Sequence, residues 1–168
     1  MLFVDCVEGQ EERAHANARA GQGAPGAGAS YKNTAEADLA VQALARVLRE
    51  DPSVASCALL TPYNGQVRLL QAMVGSAGLA DPGGGRSVAV SSVDGFQGRE
   101  ADLVIFSAVR SNAGGRLGFV ADARRLNVAI TRPRRGLVVI GSASTLRSDP
   151  NWHAFLEWWQ GQVELNQN

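Results

Sequence analysis

The chain has 168 residues, which suits one domain of ordinary size and argues against two full domains. Its 16 Lys and Arg residues equal its 16 Asp and Glu residues, so the net charge neither indicates nor excludes a nucleic-acid partner. The two cysteines and two histidines lack metal-ligand spacing, which argues against a zinc site and a disulfide framework. Without a membrane-length apolar run or a secretory signal pattern, we expect an intracellular protein, in nucleus or cytoplasm, that has no membrane partner.

Residues 1–7 include a short apolar run that predicts a first strand. Residues 8–29 are charged at first and then rich in Gly and Ala, without helical or strand periodicity, and we interpret them as a flexible insertion. Asn33 followed by Glu36 resembles a helix-capping pair, and apolar residues recur after it at helical spacing. These features predict a helix that begins after Asn33 and ends at about Glu50.

Short apolar runs also occur at 54–60, 87–91, 103–109 and 137–140. They are too short for helices, and the last three are apolar on both faces, which is typical of buried central strands. Helical patterns lie between them, around 67–74 and over 122–130. This alternation predicts an α/β domain over 30–160, with a parallel sheet, helices on both faces and a tail at 161–168. In such sheets ligands bind at the carboxyl ends of the strands.

The segment 91–100 combines small, amide and charged residues directly after a predicted strand. Gly95 and Gly98 allow a backbone to approach a phosphate closely, Gln97 adds an amide, and the Glu100 carboxylate suits a ribose hydroxyl. The alternative is an ordinary turn between two strands that happens to contain glycines. Because glycine-rich loops are a weak signal, this segment leaves both interpretations open.

A basic run follows the helix predicted over 122–130. Pro133 disfavours helical geometry at Arg132, so we expect the helix to end there and to present the guanidinium at a fixed position. An arginine at that position is suited to bidentate phosphate binding, and Arg134 follows two residues later. The alternative is a solvated basic run that the helix macrodipole favours at a carboxyl terminus.

A third cluster, 61–66, also follows a predicted strand. The hydroxyl of Thr61, the amide of Asn64 and the N–H groups of a helix start can contact a sugar–phosphate backbone without reading bases. A turn initiated by Pro62, with Asn64 capping the next helix, explains these residues equally well.

Together and in this order, the segments 61–66, 92–100 and 126–132 resemble motifs IV, V and VI of superfamily 1 helicases, in the branch typified by senataxin and the nonsense-mediated-decay helicase. The segment 30–37 also resembles the start of the second motor domain in that branch, so the resemblance covers about 29–155. It implies a RecA-like P-loop NTPase fold that lacks its own P-loop. Three motifs in order, each at the end of a predicted element, are far more specific than any one alone.

In members of this family two RecA-like domains clamp ATP with Mg²⁺. The resemblance implies that Arg132 is the arginine finger, with Gln97 and Gly98 near the γ-phosphate. Glu100 would face the ribose, and Arg134 would be a supporting nucleotide contact. The implied partners are an N-terminal RecA-like domain of the same protein, which would hold most of the Mg²⁺, and single-stranded RNA or DNA. The implied nucleic-acid contacts are Thr61, Pro62, Asn64, Ser92 and Val93, with Arg110 in support.

The chain contains no G-x-x-x-x-G-K-[ST] segment and no acidic Walker-B-type motif, so we expect that it does not hydrolyse ATP alone. It is therefore interpreted as the carboxyl-terminal motor half of a helicase. The rival interpretation is an orphaned, non-catalytic RecA-like module that acts in protein interaction or regulation. A dinucleotide-binding domain is disfavoured, because no G-x-G-x-x-G follows a predicted strand.

Overall fold

The structure, a computed structural model, describes residues 1–14 and 30–165. A five-stranded sheet has the order β1-β7-β6-β4-β5, and a small two-stranded sheet joins β2 to β3. The strands are β1 (Leu2–Asp5), β2 (Glu12–Arg13), β3 (Tyr31–Lys32), β4 (Ser56–Thr61), β5 (Ser87–Ser92), β6 (Ala101–Ser107) and β7 (Pro133–Gly141). All neighbours in the large sheet run parallel, so the strands end along one side, the carboxyl edge, and begin along the other, the amino edge.

Helices cover both faces of this sheet, which confirms the predicted α/β architecture. They are α1 (Thr34–Glu50), α2 (Asn64–Ser76), α3 (Ala123–Ile130), α4 (Ala143–Leu146) and α5 (Pro150–Leu165). The alternation of side chains along β6 divides the core in two, since successive residues of a strand point to opposite faces. Ile105 packs with α1 and α2 residues such as Leu44, whereas Phe106 packs with Trp152 of α5.

The predicted start of α1 is confirmed in detail. Asn33 is the N-cap residue, and its side chain accepts a hydrogen bond from the N–H of Glu36 at 3.2 Å. The helix ends at Glu50, as predicted. The Glu36 carboxylate, however, does not bond the Asn33 N–H as in a capping box, because Gln66 of α2 accepts from that N–H at 2.8 Å.

Three predicted segments differ from the structure. The strand expected over 103–109 ends at Ser107, because Val109 has a φ of 72°, in the left-handed region that ends a strand. The segment 87–91, expected to be a central strand, belongs to the sheet edge strand β5. The expected tail at 161–168 begins inside α5, which continues to Leu165.

Part of the expected flexible insertion at 8–29 is ordered. The segment Glu12–Arg13 pairs with Tyr31–Lys32 in an antiparallel ladder, and the Ala14 N–H donates to the Ser30 carbonyl at 2.8 Å. Residues 15–29 lie outside the described part of the chain. The ordered part thus brings residues 8–14 back to the carboxyl edge of the sheet.

Candidate functional site

A buried polar network lies at the carboxyl edge, beneath the strand ends. Glu36 accepts hydrogen bonds at 2.7 Å from both the Ser107 hydroxyl and the Val109 N–H. Gln66 donates to Ser107 at 3.0 Å, and Asn33 donates to the Val109 carbonyl at 3.2 Å. Burial raises the pKa of the Glu36 carboxyl to about 8, although the donors from Ser107 and Val109 favour its charged form. This network holds Val109 in its left-handed conformation.

Arg110 belongs to a second internal network, which corrects the expectation that it contacts nucleic acid. Its Nε donates to Glu11 at 2.8 Å, and its guanidinium lies 4.3 Å from the ring centroid of Tyr31. Burial alone would raise the pKa of Glu11, but hydrogen bonds, chiefly from Arg110 and Asn112, hold it below its ordinary value. With its donors engaged by Glu11 and Tyr63, Arg110 has a structural role here.

The other expected nucleic-acid contacts divide by exposure. The side chains of Thr61 and Val93 are buried, and the Val93 N–H donates to the Thr61 carbonyl at 3.1 Å, so neither side chain is available to a ligand. That corrects their expected role. Pro62, Asn64 and Ser92 keep exposed surface at the carboxyl edge. Asn64 is the first residue of α2 and does not cap it, because the N-cap residue is Tyr63.

Arg125 is a neighbour of this edge that the sequence reasoning missed. Its guanidinium donates three hydrogen bonds of 3.0 to 3.2 Å to the Asp94 carboxylate. These bonds connect the loop after β5 to the first turn of α3. The hydrogen bond to Asp94 raises the pKa of Arg125. Asp122 caps α3 by accepting from the N–H of Arg124 at 2.9 Å. The two arginines at 124 and 125 were visible in the sequence, but the partner Asp94 was not.

The expected nucleotide contacts lie at the opposite, amino edge. Residues 93–100 lead from the carboxyl end of β5 to the amino end of β6, and α3 leads to the amino end of β7. There the Ala101 N–H donates to the Arg132 carbonyl at 3.2 Å, which joins the two segments. The predicted nucleotide contacts therefore lie away from the carboxyl ends of the strands, where ligands of such sheets usually bind.

Arg132 is half-buried between α3 and the loop 97–100. Its Nε donates to the Val128 carbonyl at 3.3 Å, and its Nη1 donates to the Arg99 carbonyl at 3.4 Å. As predicted, α3 ends before Arg132, with Thr131 as the C-cap residue. The bond to Val128 caps the carboxyl end of α3, where the macrodipole favours a cation, and a third bond joins Nη2 to the Thr131 hydroxyl at 3.1 Å. The position of Arg132 just after α3 agrees with the expected fixed guanidinium, and its bond to a helix carbonyl agrees with the alternative, a cation favoured by the macrodipole.

The other expected nucleotide contacts are exposed, namely Gln97, Gly98, Glu100 and Arg134. Arg134 donates to Glu100 at 3.0 Å in a solvated ion pair, and Gly98 has a φ of 77° with no atom within 4 Å of an added Cβ. Gln97 lies between the two edges, because it lines, with Asp94, Arg125 and Val128, a cavity of about 200 Å³ beside α3. The guanidinium of Arg99, another residue missed from the sequence, lies over the buried ring of Phe96 at 4.7 Å.

This donor set fits a polyphosphate better than it fits a metal ion. Arg99, Arg132 and Arg134 bring three guanidinium groups to one edge, with the backbone of a glycine-containing turn beside them. Among residues 1–14 and 30–165, no group of three or more His, Cys, Asp or Glu side chains is arranged to hold a metal ion. No helix in those ranges is long and apolar enough to cross a membrane.

Residues 1–144 match the model of a protein family described as AAA domain. Regulator of nonsense transcripts 1 from Dictyostelium discoideum is 35% identical over 165 residues, which cover 98% of this chain and 12% of that protein. This chain belongs to the AAA domain family and, within it, to the Upf1-type superfamily 1 helicases. The resemblance inferred from the three motifs is thereby confirmed.

Two further relatives come from Schizosaccharomyces pombe. ATP-dependent helicase upf1 is 36% identical over 129 residues, covering 77% of this chain and 14% of that protein. DNA polymerase alpha-associated DNA helicase A is 38% identical over 138 residues, covering 82% of this chain and 19% of that protein. The chain therefore spans less than a fifth of the length of these relatives.

Proposed function

We propose that this chain is the second motor half of an ATP-dependent RNA or DNA helicase and that it completes an ATPase site shared with an upstream RecA-like domain. The observation that carries the proposal is the place of Arg132, half-buried between the end of α3 and the loop 97–100. Hydrogen bonds to the Val128 and Arg99 carbonyls orient its guanidinium, and the residues around it at the amino edge are exposed.

In this proposal ATP binds between the two domains, and Mg²⁺ is held mainly by the upstream domain. Arg132 supplies a fixed cation to the charge that develops on the phosphoryl oxygens. Gln97 and the Gly98 backbone line the same side of the site, and Glu100 faces the ribose. Arg134 neutralises Glu100 until the nucleotide binds and then adds a second cation. Exposed side chains such as Arg134 reorient at low cost, because a solvated ion pair is weak.

The carboxyl edge holds the single strand in this proposal. Pro62, Asn64 and Ser92 offer an apolar ring, an amide and a hydroxyl, which suit contacts to sugar and phosphate without sequence selection. Because α3 carries Arg125 near this edge and ends at Ile130, two residues before Arg132 at the other edge, it connects the strand contacts to the ATPase contacts in this proposal. We expect single strands to bind this chain alone weakly and with a shallow salt dependence.

Replacement of Arg132 tests the proposal in a protein that contains both motor domains. Arg132→Ala should lower the rate of ATP turnover by about 10³- to 10⁵-fold, the usual contribution of an arginine finger. Arg132→Lys should restore little of that rate, because an ammonium lacks the planar bidentate fork. The control is Arg49→Ala on the exposed side of α1, which should turn over ATP like the parent.

Steady-state turnover and thermal unfolding are measured on the same samples. Arg132→Ala should shift the melting temperature little, since its two backbone bonds are long and half solvated. Parental turnover by Arg132→Ala would refute the assignment of the finger. A large loss of melting temperature would instead make Arg132 a structural residue.

A further inference from the structure

Phe119 is an exposed aromatic residue at the carboxyl edge, and the strand contacts proposed above do not include it. Its side chain is 40% exposed, although phenylalanine is usually buried. The other large apolar side chains that are exposed in the described ranges are Met1, Leu2, Val7 and Trp158, which belong to β1, its flanks or α5. Among these residues only Phe119 lies in the segment between β6 and α3.

The backbone beneath Phe119 is tightly fixed. Gly118 has a φ of 56°, and an added Cβ would lie 2.7 Å from Nη1 of Arg110 and 3.1 Å from the Tyr63 hydroxyl. That hydroxyl also donates to the Leu117 carbonyl at 3.0 Å. The chain is therefore held against the buried Arg110 network just before the ring emerges. Such a ring is preorganised, so little conformational entropy is lost when a ligand contacts it.

Two neighbours orient the ring itself. The Tyr63 ring lies 5.9 Å away at an angle of 51°, and the Arg125 guanidinium lies 4.9 Å from the ring centroid. Arg125 is held in turn by its three bonds to Asp94. Part of the Phe119 ring stays exposed beside this guanidinium, whose charge is shared with Asp94 and Asp122, and an oriented aromatic surface of this kind suits stacking of a flat ring.

Phe119 also lies between the two exposed loops of this edge. Tyr63 directly precedes Asn64, and Asp94 follows Ser92, whose hydroxyl accepts from the Gly95 N–H at 3.0 Å. We propose that Phe119, with Arg125, is a stacking platform for one unpaired base of a single strand that spans Asn64 and Ser92. This inference rests on the proposed function and adds to it a base-contacting residue.

The surroundings favour a base over a protein partner. Protein interfaces have a contiguous apolar core, whereas the exposed residues near Phe119 in sequence are charged, as in Arg116 and Arg124, or small, as in Ala121 and Ala123. Single-strand binding sites instead combine an isolated aromatic ring with cations, because every base has a π-face and every linkage has a phosphate. Stacking of this kind tolerates any sequence, in agreement with a motor that steps along a strand.

The test measures binding of this chain to oligothymidine, to oligouridine and to an abasic strand of equal length, by NMR titration. Phe119→Leu should weaken binding of the base-containing strands by about 5- to 150-fold, the usual contribution of one stacked base, and leave abasic binding unchanged. Phe119→Tyr keeps a π-face and should bind like the parent. Trp158→Leu, which removes an exposed aromatic ring from α5, is the matched control and should also bind like the parent.

The parent chain supplies a readout that does not depend on any variant. Side-chain protons of Phe119 should shift upfield with oligothymidine and not with the abasic strand. The platform is contradicted if Phe119→Leu binds every strand as tightly as the parent does. It is also contradicted if Phe119→Leu weakens binding of base-containing and abasic strands by the same factor. If the parent chain binds none of the three strands, the proposed binding of single strands at the carboxyl edge is wrong. That result differs from the results that contradict only the role of Phe119.

Discussion

Two arginine–glutamate pairs in this chain have nearly the same length and opposite surroundings. Arg110 and Glu11 are 2.8 Å apart with 7% and 14% of their side chains exposed, whereas Arg134 and Glu100 are 3.0 Å apart with 60% and 50% exposed. The first pair fastens residues 8–14 to the carboxyl edge, and the second lies on the open amino edge. Burial, not distance, separates a structural pair from one that a ligand can displace.

The reason is the cost of leaving a charge unpaired. In a buried pair both charges have lost their water, so removal of one partner leaves the other without compensation. In an exposed pair water replaces the lost partner at once. The buried polar groups at the carboxyl edge thus satisfy each other, whereas the Arg134–Glu100 pair at the amino edge stays solvated.

The largest difference between the two regions should appear when Glu11 is removed. Glu11→Ala leaves the buried Arg110 guanidinium without its carboxylate partner. It also removes the acceptor for the Ser111 N–H and the Asn112 amide, so we expect the free energy of unfolding to fall by about 3–5 kcal/mol. Denaturant titration of the chain measures it. Glu12→Ala, which removes the exposed partner of Lys32, is the control and should cost less than about 1 kcal/mol. Equal losses for the two variants would contradict the structural role of Glu11.

The raised pKa of the Glu36 carboxyl predicts that the free energy of unfolding depends on pH. Because the folded pKa of about 8 lies above the ordinary value of 4.5, the folded state binds the proton more tightly than the unfolded state. Stability should therefore be greatest below the ordinary pKa, fall by at most about 1.4 kcal/mol per pH unit, and level off above pH 8. Glu36→Gln stays neutral and should lack this fall.

Unfolding free energies of the parent and Glu36→Gln at a series of pH values give the comparison. The parent should lose stability relative to the variant as the pH rises from 5 to 8. Asp38→Asn changes an exposed carboxylate on the same helix and should follow the parent profile. Parallel profiles of the parent and Glu36→Gln would mean that Glu36 does not hold a proton in the folded chain.

The smallest effect should come from the amino edge. Arg134→Ala breaks only the solvated pair with Glu100, so the free energy of unfolding should stay within about 0.5 kcal/mol of the parent. Denaturant titration of Arg134→Ala and Glu11→Ala under the same conditions compares the losses in the free energy of unfolding. A loss as large as that of Glu11→Ala would remove the contrast between the two edges.

Several features of this protein follow from its sequence alone, because each depends on neighbours in the chain. The Asn33 cap and the end of α1 follow from local hydrogen bonding and helical spacing. The parallel sheet follows from the alternation of apolar runs and helical patterns. The end of α3 before Arg132 follows from Pro133, which disfavours helical geometry at the preceding residue.

Only the tertiary structure decided which polar residues are available to ligands. Arg110 is engaged by Glu11, 99 residues away in sequence, and Val109 is held by Glu36, 73 residues away, so no local pattern could reveal either contact. The crossing of residues 93–100 likewise moved the Arg132 cluster to the amino edge. Local rules identify the residue types that chemistry needs, but burial and pairing arise from contacts between distant segments, and these determine whether a charged group binds a ligand or the protein itself.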